Sequence, residues 1–290
     1  MGQCFACCKT PFISQIALKF PHGTNGIHYE SNAWKKVDIN EWLSGLYVSS
    51  TWTDWIIYND DTHQFGINKH TKGHCKGIVA WNASRVSWLI HSVPNFPRQF
   101  NGSAISPIEK SETIYGQSFY YMECDIKSDT LSSIFNQLYV MEAHIFMKHG
   151  AVAAVVALDQ TYHKSVKKIY TIMLDDTVTH IAKPPHIEID IYSDHLVKAY
   201  PEHWSVETWI RGHHIETPCP LITDIKSLHH DTIMYTESQD HSKWAVSENY
   251  VWIGDLNRMT SQFKRGGGGV VIHDKNISNA LRSLFGTVFT

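Results

Sequence analysis

Two short stretches of the chain, 167 residues apart (241 minus 74), each place a histidine two residues ahead of a lysine: His74-Cys75-Lys76-Gly77 and Asp240-His241-Ser242-Lys243-Trp244. In extended backbone residues i and i+2 share a face, so each pair presents one imidazole beside one ammonium group. Such a pair suits a phosphate, and two matched pairs suit a phosphodiester. A third copy of the element, His70-Thr71-Lys72-Gly73, begins four residues upstream of the first, so the residues alone leave two registers open there.

The elements that must carry these pairs repeat as well. Gly77-Ile78-Val79-Ala80-Trp81, the polar Asn82-Ala83-Ser84-Arg85 and Ser87-Trp88-Leu89-Ile90-His91 read as two strands joined by a tight loop. Trp244-Ala245-Val246, Glu248-Asn249-Tyr250 and Val251-Trp252-Ile253 follow the same plan and lead into the polar run Gly254-Asp255-Leu256-Asn257-Arg258. Asn95 and Asn257 stand 21 and 16 residues after His74 and His241. An internal duplication explains this organisation. It predicts a single compact, pseudo-symmetric unit over 1–290 with halves at about 10–155 and 156–290, since no linker or low-complexity stretch separates them.

Elsewhere, Ile16 to Phe20 and Trp55 to Tyr58 read as strands, and Asp38 with Glu41 opens a short helix in the manner of a capping box. Ile134, Phe135, Leu138, Met141 and Ile145 keep helical spacing from Leu131, which predicts one helix running toward Gly150. The apolar run 151–158 suits a buried strand or a helix, and Ile277, Ala280, Leu281 and Leu284 predict a last helix after a strand at Val270-Val271-Ile272. The class is therefore α/β. Gly266 to Gly269 suit either a cradle of backbone amides for a phosphate or a flexible turn. They lack the following Lys and Ser or Thr of a P-loop. His213-His214 and His229-His230 are adjacent pairs whose members face opposite sides of a strand, which disfavours a shared metal ion.

Composition bounds the partners. With 290 residues and 43% hydrophobic content the chain can bury an ordinary core. A net charge of -3 and a pI near 6.7 exclude a global basic field, so any polyanion site is local. The 19 histidines would turn the chain strongly cationic below about pH 6.5, which predicts a preference for acidic conditions. No apolar stretch is long enough for a membrane helix, and Cys4, Cys7, Cys8 and Lys9 stand where a secretory signal would carry its apolar region. Ala6 stands where a myristoylation pattern wants Ser or Thr. The six cysteines have neither zinc-finger spacing nor the density of a disulfide scaffold. Sequons at Asn82, Asn101 and Asn276 matter only if the chain meets a glycosylation machinery.

Gly73-His74-Cys75-Lys76-Gly77, followed by Trp88-Leu89-Ile90-His91-Ser92-Val93-Pro94-Asn95-Phe96-Pro97, resembles the first motif of the deoxyribonuclease II family, in which Gly-His-Thr-Lys-Gly precedes a His-Ser-Val-Pro segment. An ungapped match to His91 lands on His74 and Lys76 and leaves His70 and Lys72 outside the motif. Further matches are Tyr58-Asn59-Asp60, Tyr115-Gly116-Gln117, Gly212-His213-His214, Asp240 to Trp244, Gly254 to Arg258 and Arg265-Gly266-Gly267-Gly268. Ala245, the Val251 to Ile253 segment and Tyr121 occupy positions where animal members usually carry cysteines, so most of that family's disulfide framework is missing. Cys124 with an N-terminal cysteine is the pairing left, and the pattern suits a chain that tolerates reducing conditions.

The resemblance implies a phospholipase D-like fold with a mixed β-sheet flanked by helices in each half. It also implies hydrolysis of DNA at acidic pH to 3′-phosphate and 5′-hydroxyl ends, with no metal or other cofactor. His74 is then the nucleophile that forms a phosphohistidine, and His241 is the acid and base. The pseudo-symmetry leaves the reverse order open. Lys76 and Lys243 bind the non-bridging oxygens, Asn257 adds a phosphate hydrogen bond that Asn95 mirrors, and His91 supports the shape of the site. The expected partner is DNA, without stable membrane insertion and with a homodimer left open. Animal relatives are lysosomal or secreted, whereas the missing signal leaves a cytoplasmic address open. A phospholipase D-like phosphodiesterase for another substrate and a catalytically silent nucleic-acid binder are the alternative readings.

Overall fold

The computed structural model describes residues 12–48, 51–62, 67–68, 72–127, 129–151, 167–209 and 219–288. His70, His213, His214, the N-terminal cysteines and all but the first residue of the apolar run 151–158 lie outside these.

The first part of the chain forms β1 (Ile13–Lys19), β2 (Asn25–Glu30), β3 (Ala33–Asp38), β4 (Asp54–Asn59), β5 (Asp61–Thr62), β6 (Ile67–Asn68), β7 (Lys76–Trp81), β8 (Arg85–His91), β9 (Gln117–Asp125) and β10 (Ile145–His149). Eight of these make one sheet in the order β10-β4-β7-β8-β9-β1-β2-β3, antiparallel at every step, and β5 pairs with β6. The second part forms β11 (Tyr170–Asp175), β12 (Val178–Lys183), β13 (Trp204–Thr208), β14 (Ile222–His230), β15 (Ile233–Thr236), β16 (Lys243–Val246), β17 (Tyr250–Gly254), β18 (Gly267–His273) and β19 (Phe285–Val288). Its sheet runs β11-β12-β18-β17-β16-β13-β14-β15, with β19 laid on β14, and the parallel β13 and β14 pair makes it mixed.

Alternation along the strands decides the layers. Ile56, Val79, Trp88 and Met122 of the first sheet share one core with Trp244, Ile253, Val270 and Ile272 of the second, so the two sheets bury one face together. Their alternates Ile57, Ile78, Leu89 and Phe119 form a second core under helix α1 (Ile39–Val48), which contributes Trp42, Leu43 and Tyr47. Strands buried on both faces read as continuous apolar runs, which is why Lys76–Trp81 shows no polar alternation. Helices α2 (Thr130–Met141) and α3 (Lys275–Arg282) add Ile134, Leu138 and Leu281 to the shared core.

The predicted hairpins form. Asn82 Oδ1 closes the first by accepting from the amides of Ser84 (3.0 Å) and Arg85 (2.9 Å), and Ser247 closes the second by donating its amide to the Tyr250 carbonyl at 2.9 Å. Asp38 caps α1 as its position suggested, its Oδ1 accepting from the amides of Asn40 (2.8 Å) and Glu41 (3.2 Å).

Two expectations need correction. The helical spacing through Ile145 overruns the real helix, which stops at Met141. Glu142 takes a left-handed conformation (φ 56) and its amide returns to the carbonyls of Leu138 and Tyr139, after which Ile145 starts β10. The glycine run is neither a cradle nor a turn, because Gly267–Gly269 are the first residues of β18, between β12 and β17. A Cβ on Gly268 would stand 2.5 Å from the Ile181 carbonyl oxygen and 2.7 Å from Met141 Sδ, so close packing selects glycine there.

Pairing registers expose the internal two-fold. Gly77 opposes Ile90 as Trp244 opposes Ile253, and His91 opposes Phe119 as Gly254 opposes Gly269. Counting along these strands, Lys76 corresponds to Lys243, Ser92 to Asp255, Gly116 to Gly266 and Tyr115 to Arg265. Tyr58 opposes Gly77 as Glu207 opposes Trp244, which makes Asp60 correspond to Trp209.

Candidate active site

The two histidine–lysine pairs lie at the starts of β7 and β16, and each is stitched to the opposite half. The His74 amide donates to the Gly266 carbonyl (2.7 Å) and the His241 amide to the Gly116 carbonyl (2.9 Å). The rings cross in the same way, with His74 Nδ1 2.6 Å from the Asp255 carbonyl and His241 Nδ1 2.9 Å from the Ser92 carbonyl. A carbonyl can only accept, so each Nδ1 carries the proton and each neutral ring keeps Nε2 as its nucleophilic nitrogen. All four contacts join positions related by the internal two-fold.

Electrostatics ties the four side chains into one neighbourhood. Burial, then the Lys76 ammonium, depresses His74 well below the usual histidine value; Asp60 opposes this, and Arg265 and Lys243 add to it. His241 is depressed by burial, Lys243, Lys76 and His74 itself. Lys243 is pushed down to about 7 by burial and by Lys76, against the pull of Asp240, Asp255 and Asp60. The free protein therefore holds two neutral imidazoles and one lysine that gains its proton near neutrality.

The flanks of the two histidines differ. Beside His74, the Asp60 carboxylate bonds Lys76 Nζ at 2.5 Å and an Arg265 Nη at 2.8 Å. Burial works against the Asp60 charge, but Lys76, His74 and Arg265 together hold its carboxyl well below the usual range. Beside His241 the corresponding positions are aromatic. The Trp209 ring lies 5.0 Å from the His241 ring and 4.6 Å from the Tyr115 ring, centroid to centroid. Lys243 Nζ donates to the His241 carbonyl at 2.5 Å, where Lys76 has a carboxylate.

Two further buried lysines, also related by the two-fold, pin the backbone that carries Tyr115 and Arg265. Lys19 Nζ donates to the carbonyls of Phe20 (2.9 Å), Gly23 (3.0 Å), Thr113 (3.0 Å) and Tyr115 (2.5 Å). Lys183 Nζ donates to those of Pro184 (3.4 Å), Phe263 (2.7 Å) and Arg265 (2.6 Å). Burial lowers both ammonium groups to about 8.

Of the sequence-derived residues, His74, Lys76, His241 and Lys243 come together. His91 is buried at the end of β8, its ring near Phe96 and Phe119 and its Nδ1 accepting the Val93 amide at 3.2 Å. Burial, then Lys76, pushes His91 down to about 3, so it stays neutral. Asn257 is buried, and its Oδ1 has no hydrogen-bond partner among the described residues. Asn95 takes a left-handed conformation (φ 52), its amide donating to Asp61 (2.8 Å) and its Nδ2 to Glu112 (3.4 Å). Its two-fold counterpart is Arg258, which is bonded to Asp190 (3.0 Å) and Asp224 (2.7 Å). His230 stacks on Phe20, and no group of three His, Cys, Asp or Glu able to hold a metal occurs among the described residues. No helix among those residues is long and apolar enough to cross a membrane.

Sequence reading gave no role to Asp60, Arg265, Tyr115 or Trp209. The first three stand inside short matched motifs, where each precedes a glycine or follows Asn59 at a strand end. Trp209 has no linear signal, and only the shared register of β4 and β13 reveals it.

A family model described as Deoxyribonuclease II matches residues 24–289. Cell-death-related nuclease 7 of Caenorhabditis elegans is 28% identical over 88% of this chain and 77% of its own length. Deoxyribonuclease-2 of the same nematode is 31% identical over 74% of this chain, a match that spans 61% of that relative. Deoxyribonuclease-2-beta of Mus musculus is 28% identical over 84% of this chain and 73% of its own length.

Proposed function

The chain belongs to the deoxyribonuclease II family, and from that premise we propose that it cleaves DNA phosphodiesters at acidic pH, without a metal, through a phosphohistidine. The observation that supports this reading is the crossed pair of Nδ1 contacts, which fixes one tautomer in both rings and leaves each Nε2 as the nitrogen available for chemistry at a phosphate.

His74 Nε2 attacks phosphorus as the P–O5′ bond breaks, and protonated His241 gives its Nε2 proton to the departing O5′. His241, now neutral, takes a proton from water as the water oxygen attacks phosphorus and the N–P bond breaks. The products are a 3′-phosphate and a 5′-hydroxyl, and both rings return to their starting states. Asp60 supports this order of roles, because attack makes the His74 ring cationic and the nearby carboxylate stabilises that charge. Lys76 and Lys243 supply the positive charge for the non-bridging oxygens, and the buried Asn257 donates to the same phosphate through its side-chain amide nitrogen, since its Oδ1 can only accept. A bound phosphate raises the His241 pKa, and low pH fills both His241 and Lys243 with protons, which favours an acid optimum.

The test is digestion of plasmid DNA at pH 5 with a chelator present, followed by end-group analysis, beside RNA and phosphatidylcholine. DNA is expected to yield 3′-phosphate ends, and His74→Ala and His241→Ala are each expected to lower turnover by roughly 10²-fold or more. Near-normal cleavage by a folded His241→Ala protein, 5′-phosphate ends, or preference for the lipid refutes the proposal.

A further inference from the structure

The internal two-fold relates the catalytic pairs but not their surroundings, and a phosphodiester is itself directional, with a 3′-linked nucleoside on one side and a 5′-linked nucleoside on the other. On the His74 side stand Asp60 and Arg265; at the matching positions on the His241 side stand Trp209 and Tyr115. We propose that Trp209 and Tyr115 form a nucleobase platform beside His241, which stacks the base of the nucleoside that leaves with the 5′-hydroxyl. This deepens the function proposed above and rests on its assignment of His241 as the acid that protonates O5′.

Three features support it. The Trp209 ring centroid lies 5.0 Å from that of His241, within the reach of one nucleoside from a phosphate held at Nε2. Trp209 and Tyr115 are only partly buried, unlike Trp88, Trp204, Trp244 and Trp252, which fill the cores. The platform is also anchored, since Lys19 binds the Tyr115 carbonyl and the Trp209 and Tyr115 rings meet edge to face at 87°. A π-face accepts any base, so the platform positions the strand without reading its sequence. The matching ion cluster of Asp60 and Arg265 on the other side attracts phosphate charge and carries no aromatic ring, which gives the cleft a polarity that the catalytic pairs alone lack.

The test uses an oligonucleotide with one cleavable phosphodiester and an abasic residue placed either on its 3′ side or on its 5′ side. In the wild-type protein, removing the base on the 3′ side is expected to lower kcat/KM by roughly five- to a hundredfold, the scale of one base–aromatic stack. Trp209→Ala is expected to cause a similar loss with the intact oligonucleotide and little further loss with the 3′-abasic one, while Trp209→Phe keeps most of the base dependence. Binding of the same oligonucleotides to His74→Ala protein, read by fluorescence anisotropy, should show the same 3′-side dependence without turnover. Equal losses from 3′- and 5′-abasic substrates, a dependence on the 5′ side, or additive losses from indole and base overturn the platform. Failure of wild-type protein to cleave the intact oligonucleotide refutes the nuclease reading, and the anisotropy arm then still decides whether Trp209 stacks a base.

Discussion

Replacing Lys243 by arginine should separate the pH dependence of binding from the pH dependence of chemistry. Lys243 is 1% exposed and lies near the Lys76 ammonium, and these two influences lower it to about 7. At pH 5 it is then about 99% charged, and at pH 8 only about 10%. A charge-assisted hydrogen bond to phosphate contributes about 1.5–3 kcal/mol, so losing it weakens DNA binding by roughly ten- to a hundredfold. The sign follows from linkage: DNA binds the ammonium form, so affinity is full below pH 7 and falls as pH rises through that value. His74→Ala protein is the background of choice, since it removes turnover, and Lys243→Arg is made in that same background so that both proteins lack the His74 ring. Lys19 and Lys183 titrate near 8, but their ammonium groups face backbone carbonyls and should not change phosphate contacts directly. Anisotropy titrations at constant salt from pH 5 to 9 should show the fall in the Lys243 protein and a flat profile near pH 7 after Lys243→Arg. Superimposable profiles would refute the assignment of the acid limb of binding to this residue.

Other consequences are as direct. Asp60→Asn leaves the buried Lys76 and the partly buried Arg265 without their carboxylate, which should cost about 3–5 kcal/mol in urea unfolding; because Asp60 stays ionised, the loss should be alike at pH 5 and pH 8, and a loss under about 1 kcal/mol would contradict the role of the cluster. Glu207 is fully buried, neither carboxyl oxygen has a hydrogen-bond partner among the described residues, and burial raises its pKa well above the usual value. A raised folded-state pKa stabilises the fold in acid and loses that contribution as pH rises, so wild type should gain on Glu207→Gln by up to roughly 1.4 kcal/mol per unit as pH falls from 7 toward 4.5. A pH-independent difference in urea midpoints between the two proteins would contradict this. Gly268→Ala should lower the thermal midpoint by the equivalent of about 1–3 kcal/mol, since its Cβ meets the Ile181 backbone oxygen; an unchanged midpoint would mean that β18 can shift.

Much of the fold was legible because it rests on local signals. The two hairpins announce themselves by apolar runs around Asn82 and Asn249, and α1 by Asp38 ahead of an amphipathic segment. The end of α2 was not legible, because helical spacing continues by chance through Ile145 while the chain has already turned at Glu142. The glycines of β18 mislead for a related reason: glycine usually marks a turn, and here it marks neighbours too close for a side chain. For the site, the histidine–lysine repeat carried the four central residues. The flanks escaped because Asp60 and Trp209 correspond only through the pairing of β4 with β7 and of β13 with β16, a relation set by sheet register and not by spacing in the chain.

Covalent joining of the two halves explains why the site can be symmetric in its chemistry and asymmetric in its surroundings. Each half supplies a histidine whose tautomer is set by a carbonyl of the other half, so neither ring is correctly held until both sheets meet. Two identical chains around a true two-fold could make the same crossed contacts, but they would have to repeat either the acidic residue or the tryptophan on both sides. A symmetric pair of Asp60-like carboxylates would place two negative charges beside the phosphate, and a symmetric pair of Trp209-like rings would leave both lysines without a fixed counterion. One chain carries one of each. The ionic flank fixes Lys76 against the Asp60 carboxylate, and the aromatic flank gives Lys243 no paired carboxylate among the described residues, so that Lys243 is poised to take its proton when acid or phosphate arrives.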